Sequence, residues 1–278
     1  MVSVCHGGAV HIAIGCKFQF EVANPTHAVV LVEPHADEEH RVNDPQFSVE
    51  PDVPMTTYAD LFGNRCRRLT LPAGRVELTF AATVDATGEP EVSAAGAREL
   101  NPAELPDDAL VFLLPSRYCQ SDQVAGFAFE QFGQLPPGAS RVQAITQWVH
   151  DRIGFDYGAA SPTYTAVDVL RDGHGVCRDF AHLAIALCRA LNIPARYVVG
   201  YLPDIGVPDP GTPMDFCAWT EVHLGGRWYT FNPRNNERRI GRTIIARGRD
   251  AADVAMVTTF GTVELASMTV TAEEVAPR

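Results

Sequence analysis

Apolar and polar residues alternate from His11 to Val22, placing Ile12, Ile14, Cys16, Phe18, Phe20 and Val22 on one side. A period of two predicts a half-buried strand. Residues Val29 to Val32, Arg67 to Leu71 and Arg75 to Val84 repeat the pattern between Gly, Pro and Asp punctuation, so the first hundred residues read as all-β. Residues 89–115 carry Pro90, Pro102, Pro106 and Pro115 among acidic and small residues, the composition of a linker or a crossover hugging the surface. The period then changes to that of a helix, with Val142, Ile145, Trp148, Val149 and Ile153 recurring after Pro136-Pro137-Gly138. Thr165 followed by Asp168 reads as a capping box at a second helix start. Beyond Pro194 the chain turns β again. Arg196 to Tyr201 is one predicted strand, and Phe216 to Leu224 and Arg227 to Phe231 form a hairpin closed by Gly225-Gly226. The last fifteen or so residues are expected to fray. These patterns predict two domains, a β-rich 1–115 and a mixed helical and β 116–278.

With 278 residues and 46% hydrophobic content, the chain can bury a core in each domain. A formal charge of −12 argues against a phosphate-tracking surface, so nucleic acid is a poor partner. Seven irregularly spaced cysteines suit a reducing compartment better than a disulfide framework. The opening residues lack a basic and then apolar leader, and no stretch approaches the roughly 20 apolar residues of a membrane span. The expectation is a cytoplasmic protein with no membrane partner.

The chemistry concentrates in Gly173-His174-Gly175-Val176-Cys177-Arg178-Asp179-Phe180-Ala181, which runs into an apolar helical pattern ending at Asn192-Ile193-Pro194. Two glycines free the backbone just before Cys177, which falls on the first turn of a helix whose dipole favours a thiolate. Phe180, Leu183, Ala184, Leu187 and Leu191 share one face, pinning that helix to a core. The same helix-start amides can stabilise an oxyanion. A buried structural cysteine is the alternative reading, and it is the one chosen for Cys188, which sits mid-helix. His182 is read as a residue of the helix's polar face.

Gly-Val-Cys-Arg-Asp-Phe-Ala, then Ile193-Pro194-Ala195-Arg196 and Gly200-Tyr201, resembles the transglutaminase-like superfamily of papain-like thiol enzymes. Ala218-Trp219-Thr220-Glu221-Val222, Gly226-Arg227-Trp228 and Asn232-Pro233 are similar to its later motifs, so the resemblance spans about residues 140 to 235. It implies an α+β fold, a papain-like core of helices on an antiparallel sheet, preceded by a sandwich-like all-β N-terminal domain. It also implies Cys177 as nucleophile in acyl transfer or in amide or peptide hydrolysis, acting on a protein, a peptide or a small amide. No cofactor or metal is implied. The family pattern has His-Ala-Trp for the base and Asp-Pro for the orienting carboxylate; here those positions hold Cys217 and Asn232.

The hairpin register sets Cys217 and Asn232 as diagonal neighbours, while His223 lies about 20 Å along the strand from Cys217 at about 3.3 Å per residue. His223, facing Trp228 near the turn, is read as a surface residue, and His174 as sterically freer and able to reach the Cys177 sulfur, a role the family resemblance does not imply. Three functions stay open: a working thiol enzyme with an unrecognised base, an impaired member serving as a binding module, and a Cys177/Cys217 redox or metal site. Trp219 and Trp228 read as packing anchors, Asp179 as a partner of Arg178 or Arg196, and Arg234, Arg238, Arg239, Arg242, Arg247 and Arg249 as a solvated basic face.

Overall fold

The computed structural model describes residues 8–36, 40–208 and 210–276; Cys5 and most of the opening stretch lie outside them. The chain begins with strands β1 (Ala9–Val22), β2 (Thr26–Val30), β3 (Arg41–Glu50), β4 (Met55–Ala59), β5 (Arg65–Leu71) and β6 (Gly74–Thr87). Helices α1 (Asp107–Leu110), α2 (Ala125–Phe132) and α3 (Ala139–Arg152) follow, then the short strand β7 (Gly154–Phe155), α4 (Ala166–Asp172), β8 (His174–Gly175) and α5 (Cys177–Ala190). The chain closes with β9 (Ala195–Tyr201), β10 (Cys217–Leu224), β11 (Arg227–Phe231), β12 (Thr243–Gly248), β13 (Val257–Thr259) and β14 (Val263–Val275).

The predicted alternation is realised in β1 and β6, which pair antiparallel so that Ile12, Ile14, Cys16 and Phe18 stand opposite Val84, Ala82, Phe80 and Leu78, all buried. Two four-stranded sheets build the β-rich part, in the orders β14-β1-β6-β3 and β13-β2-β5-β4. Strands β13 and β14 therefore return from the C-terminal end to the N-terminal sheets, and not all of 116–278 packs with the helices. The expected fraying is overturned for the same reason: residues 263–275 pair along β1 from Val22 to His11. Residues 89–115 do hug the surface, and the Glu91 carboxylate anchors them to Arg242 and to the backbone of Arg239.

The remaining four-stranded sheet, ordered β11-β10-β9-β12, carries the helices. Its hairpin has the register expected from sequence, with Leu224 opposite Arg227 and Thr220 opposite Phe231. Gly225 and Gly226 both take positive φ, 56° and 92°, as the tight turn requires. Thr220 on β10 bonds toward Ala181 of α5, while Cys217 and Trp219 face the other side with Val198 and Leu202. Helix α5 is buried from Asp179 to Arg189 and fills the centre of the core. The β-rich part docks behind this sheet: Phe18 stacks on Phe216, Phe80 on Tyr201, and the Tyr201 hydroxyl donates to the Val32 carbonyl at 2.8 Å.

Candidate active site

The turn before α5 is built by its glycines and one carboxylate. Gly173 ends α4 in the left-handed region at φ 73°, with its N–H bonded to the Val169 carbonyl. At Gly175 a Cβ would fall 2.7 Å from the Asp179 Cβ, so only glycine fits there. Asp179, fully buried, accepts from the Val176 N–H at 2.9 Å and pairs with Arg178 at 3.0 Å. These contacts fix Cys177 as the first residue of α5, where the opening amides have no intrahelical acceptors.

Strand β10 brings Cys217 to the same place. Both thiols are free, near enough for each to shift the ionisation of the other, and both line a cleft of about 350 Å³ walled by Phe155, Tyr157, Met214 and Phe216. The Cys177 Sγ also lies 3.9 Å from the Phe216 carbonyl oxygen. Cys217 is pulled down to about 7, first by the hydrogen bond from Cys177, against the cost of burial, and further by Arg242, Arg234 and Arg239. Cys177 is pushed well above the usual thiol value, first by its bond to Cys217, then by burial and by the charge of Cys217. The pair thus favours the proton on Cys177 and the charge on Cys217, in a positive field.

No histidine lines this cleft among the described residues. His174 is exposed, stacked on Tyr164 at 5.9 Å with its Nδ1–H on the Asp172 carbonyl. His223 is not a surface residue: it is 3% exposed because Trp228 closes over it at 5.2 Å, and burial lowers its pKa. His182 is not on a polar face either, since α5 has no solvent side there. It is sandwiched by Tyr118 and Tyr197 at 5.1 and 5.0 Å, its Nε2 accepts from the Ala251 N–H, and burial keeps it neutral.

Asn232 is buried, and its side-chain oxygen is occupied by the next turn, accepting from the Arg234 and Asn235 N–H groups at 3.1 and 3.2 Å. Its Nδ2 has no hydrogen-bond partner among the described residues, and it lines a neighbouring cavity of about 550 Å³ rather than the thiol cleft. The structure therefore unites Cys177 with Cys217 and leaves Asn232 to shape the loop beside them.

The basic run is largely interior, which corrects the solvated reading. Arg239, Arg242 and Arg247 are buried: Arg242 lies over Trp219 at 4.4 Å, Arg239 pairs with Asp204 at 2.7 Å, and Arg247 pairs with Glu221 at 3.0 Å. Their counter-charges lie far off in sequence, so spacing gave no sign of them. Trp228 packs on Phe112 and Arg196, as an anchor would.

Residues 126–233 match the family model of the transglutaminase-like superfamily. A crystal structure of a candidate cysteine protease from Cytophaga hutchinsonii superposes with a TM-score of 0.86 at 32% identity, covering 98% of this chain and 92% of that one. The chain belongs to the transglutaminase-like superfamily. An uncharacterized protein of Mycobacterium leprae is 28% identical over 204 residues, 71% of this chain and 73% of its own. One of Mycobacterium tuberculosis is 31% identical over 145 residues, 48% of this chain and 46% of its own. The superfamily fold accounts for the helix-borne Cys177 facing the end of β10, the setting of thiol-dependent acyl transfer or hydrolysis. No helix among the described residues is long and apolar enough to cross a membrane.

Proposed function

We propose that this protein catalyses thiol-dependent acyl transfer or hydrolysis of an amide, ester or peptide, with Cys177 as nucleophile and Cys217 in the place of the general base. The observation that carries this reading is that Cys177, at the start of α5, and Cys217, at the position where the superfamily pattern sets a histidine, line one cleft as free thiols. As the Cys177 sulfur attacks the carbonyl carbon, its proton passes to the Cys217 thiolate, and the amides at the start of α5 face the developing oxyanion. The Cys217 S–H then returns the proton to the leaving nitrogen or oxygen as its bond to carbon breaks. Water or an amine attacks the resulting thioester, gives its proton to Cys217 and frees Cys177. Asn232 supports the site by fixing the turn at residues 234–235.

The test is intact-protein and peptide mass spectrometry after exposure to p-nitrophenyl acetate. An acetyl group is expected on Cys177, forming faster than on the other cysteines, slowed in Cys217→Ala and absent in Cys177→Ala. Acetylation of Cys177 no faster than that of an ordinary thiol would leave the fold as a binding module.

The same contact favours a second reading, a reversible disulfide. Two-electron oxidation by a peroxide would join the sulfurs with loss of both protons and leave the nucleophile capped. Mass mapping after mild peroxide treatment, without reductant, reads a 177–217 bridge directly; its absence removes this reading and leaves the first intact.

A further inference from the structure

Within the thiol cleft one cation has no carboxylate partner among the described residues. Arg234 is pinned through its backbone: its N–H donates to the Asn232 side-chain oxygen at 3.1 Å, and its carbonyl accepts from the His150 Nδ1–H at 2.7 Å. Its guanidinium lies 4.0 Å over the Phe155 ring, and both residues line the cleft with Cys177 and Cys217. Among the described residues no salt bridge or side-chain hydrogen bond engages that guanidinium. Stacking on an aromatic face leaves the in-plane N–H fork free to meet a planar anion.

The other charges among the described residues of the cleft are already engaged. Arg239, its second arginine, pairs with Asp204 at 2.7 Å and Glu237 at 3.7 Å and donates to the Pro203 carbonyl. Asp215 accepts from the Phe216 N–H at 2.7 Å, and burial pushes its carboxyl up although Arg234 pulls it down. Of the described carboxylates, two thus belong to Arg239 and the third accepts from its neighbour's backbone.

We propose that Arg234 is the specificity-determining residue of the thiol cleft, selecting acyl substrates that carry a carboxylate close to the bond attacked. The assignment rests on the acyl-transfer reading above and adds its substrate class. A bidentate guanidinium–carboxylate contact would fix the substrate's orientation over the sulfurs, while Phe155, Met214 and Phe216 supply an apolar wall for the rest of the chain. The charge of Arg234 also reaches both sulfurs and favours their ionised forms, so an anion bound to it lies within the range of the reacting atoms. Asn232 enters this design as a positioning residue, because it is its side-chain oxygen that holds the Arg234 backbone.

The experiment compares alkylation of Cys177 and Cys217 in the full chain by iodoacetate, which carries a carboxylate beside its reactive carbon, and by neutral iodoacetamide. Both reagents meet the same thiolate, so their rate ratio cancels the degree of ionisation and reports only the anion contact. The ratio is expected to exceed that of glutathione in the wild type, to fall about tenfold in Arg234→Gln, the scale of one charge-assisted hydrogen bond, and to recover in part in Arg234→Lys. A purely structural role would change both rates together and leave the ratio fixed. A wild-type ratio equal to that of glutathione, or one unchanged in Arg234→Gln, overturns the assignment. Should iodoacetamide itself label neither sulfur faster than an ordinary thiol, the acyl-transfer reading fails separately. Glutarate titration followed by the NMR signal of the Arg234 Nε–H then decides the anion site alone, a shift supporting it and a static signal overturning it.

Discussion

Replacing Cys217 with alanine removes the sulfur that receives the Cys177 proton, and the consequence is an altered pH profile of alkylation. In the wild type the pair releases its first proton at about 7, against about 8.5 for an ordinary thiol. At pH 7 the pair is therefore about half ionised and an ordinary thiol roughly 3%, a gain of about 15-fold in thiolate. Nucleophilicity falls with basicity at a Brønsted slope of about 0.4–0.5, so a thiolate some 1.5 pH units less basic is about four- to six-fold less reactive. The net advantage at pH 7 is only about threefold, which makes the rate at one pH a poor reporter and the position of the inflection a good one. Iodoacetamide alkylation with peptide mapping, followed between pH 5.5 and 10, is expected to show a wild-type inflection near 7. In Cys217→Ala it moves to about 8.5 or above, because burial remains and the shared proton is gone. Cys217→Ser keeps the volume and controls for packing. A wild-type inflection at 8.5 or above, or one near 7 that survives in Cys217→Ala, refutes the proton-sharing argument.

Three further outcomes follow from packing and charge. A Cβ at Gly200 would lie 2.0 Å from the Thr243 carbonyl oxygen and 2.7 Å from the Trp219 ring, so Gly200→Ala must part β9 from β12. It is expected to cost about 3 kcal/mol in urea unfolding and, since Gly200 pairs with Cys217, to shift the alkylation inflection. Glu221 is buried between Arg196 at 2.6 Å and Arg247 at 3.0 Å, so Glu221→Ala leaves two enclosed guanidiniums facing one another. A loss of about 3–5 kcal/mol is expected, and a loss below about 1 would mean water replaces the carboxylate. His182 stays neutral when folded but protonates normally when unfolded, so below pH 6.5 the unfolded chain binds the extra proton. Its contribution is present above 6.5 and lost as pH falls, by up to about 1.4 kcal/mol per pH unit, and thermal melts of His182→Gln should show a shallower acid limb.

How much of this was legible beforehand depended on whether a pattern had a buried face to record. Strands β1 and β6 each bury alternate residues in one core, so their period was plain. Strand β3 was missed because Asp44 takes a positive φ beside Pro45 and shifts the register between Asn43 and Gln46, breaking the alternation. The end of the chain was expected to fray because β14 exposes residues 264–269 on both faces, so its membership of the sheet rests on backbone pairing with β1. Within the site, the glycines and the helix start made Cys177 readable from its immediate neighbours. Cys217 could be placed only through the motif, and the hairpin ladder stops at Thr220–Phe231, short of both Cys217 and Asn232. His182 and His223 were misplaced for a shared reason: both lie on elements enclosed on every side, where a polar residue no longer marks a solvent face. The interior arginines were unreadable because Glu91, which holds Arg242 and Arg239, is about 150 positions away.

The remaining thiols reveal what distinguishes the pair in the cleft. Cys119 and Cys188 are as enclosed as Cys217, and each is pushed up to about 12, chiefly by burial. Cys188 lies on the same helix as Cys177, so neither the helix nor the core accounts for a sulfur that ionises near neutrality. What Cys217 has and they lack is a second cleft thiol that lowers its pKa and three guanidiniums around it, from Arg242, Arg234 and Arg239. Two of those arginines are themselves buried, a costly placement for a cation unless anionic charge stands nearby. Asp204 and Glu91 supply part of that charge, and a thiolate at Cys217 supplies more. The positive cluster and the acidic sulfur thus stabilise one another, which is the physical reason to expect a thiolate, rather than an inert buried thiol, at the position where the family pattern has an imidazole.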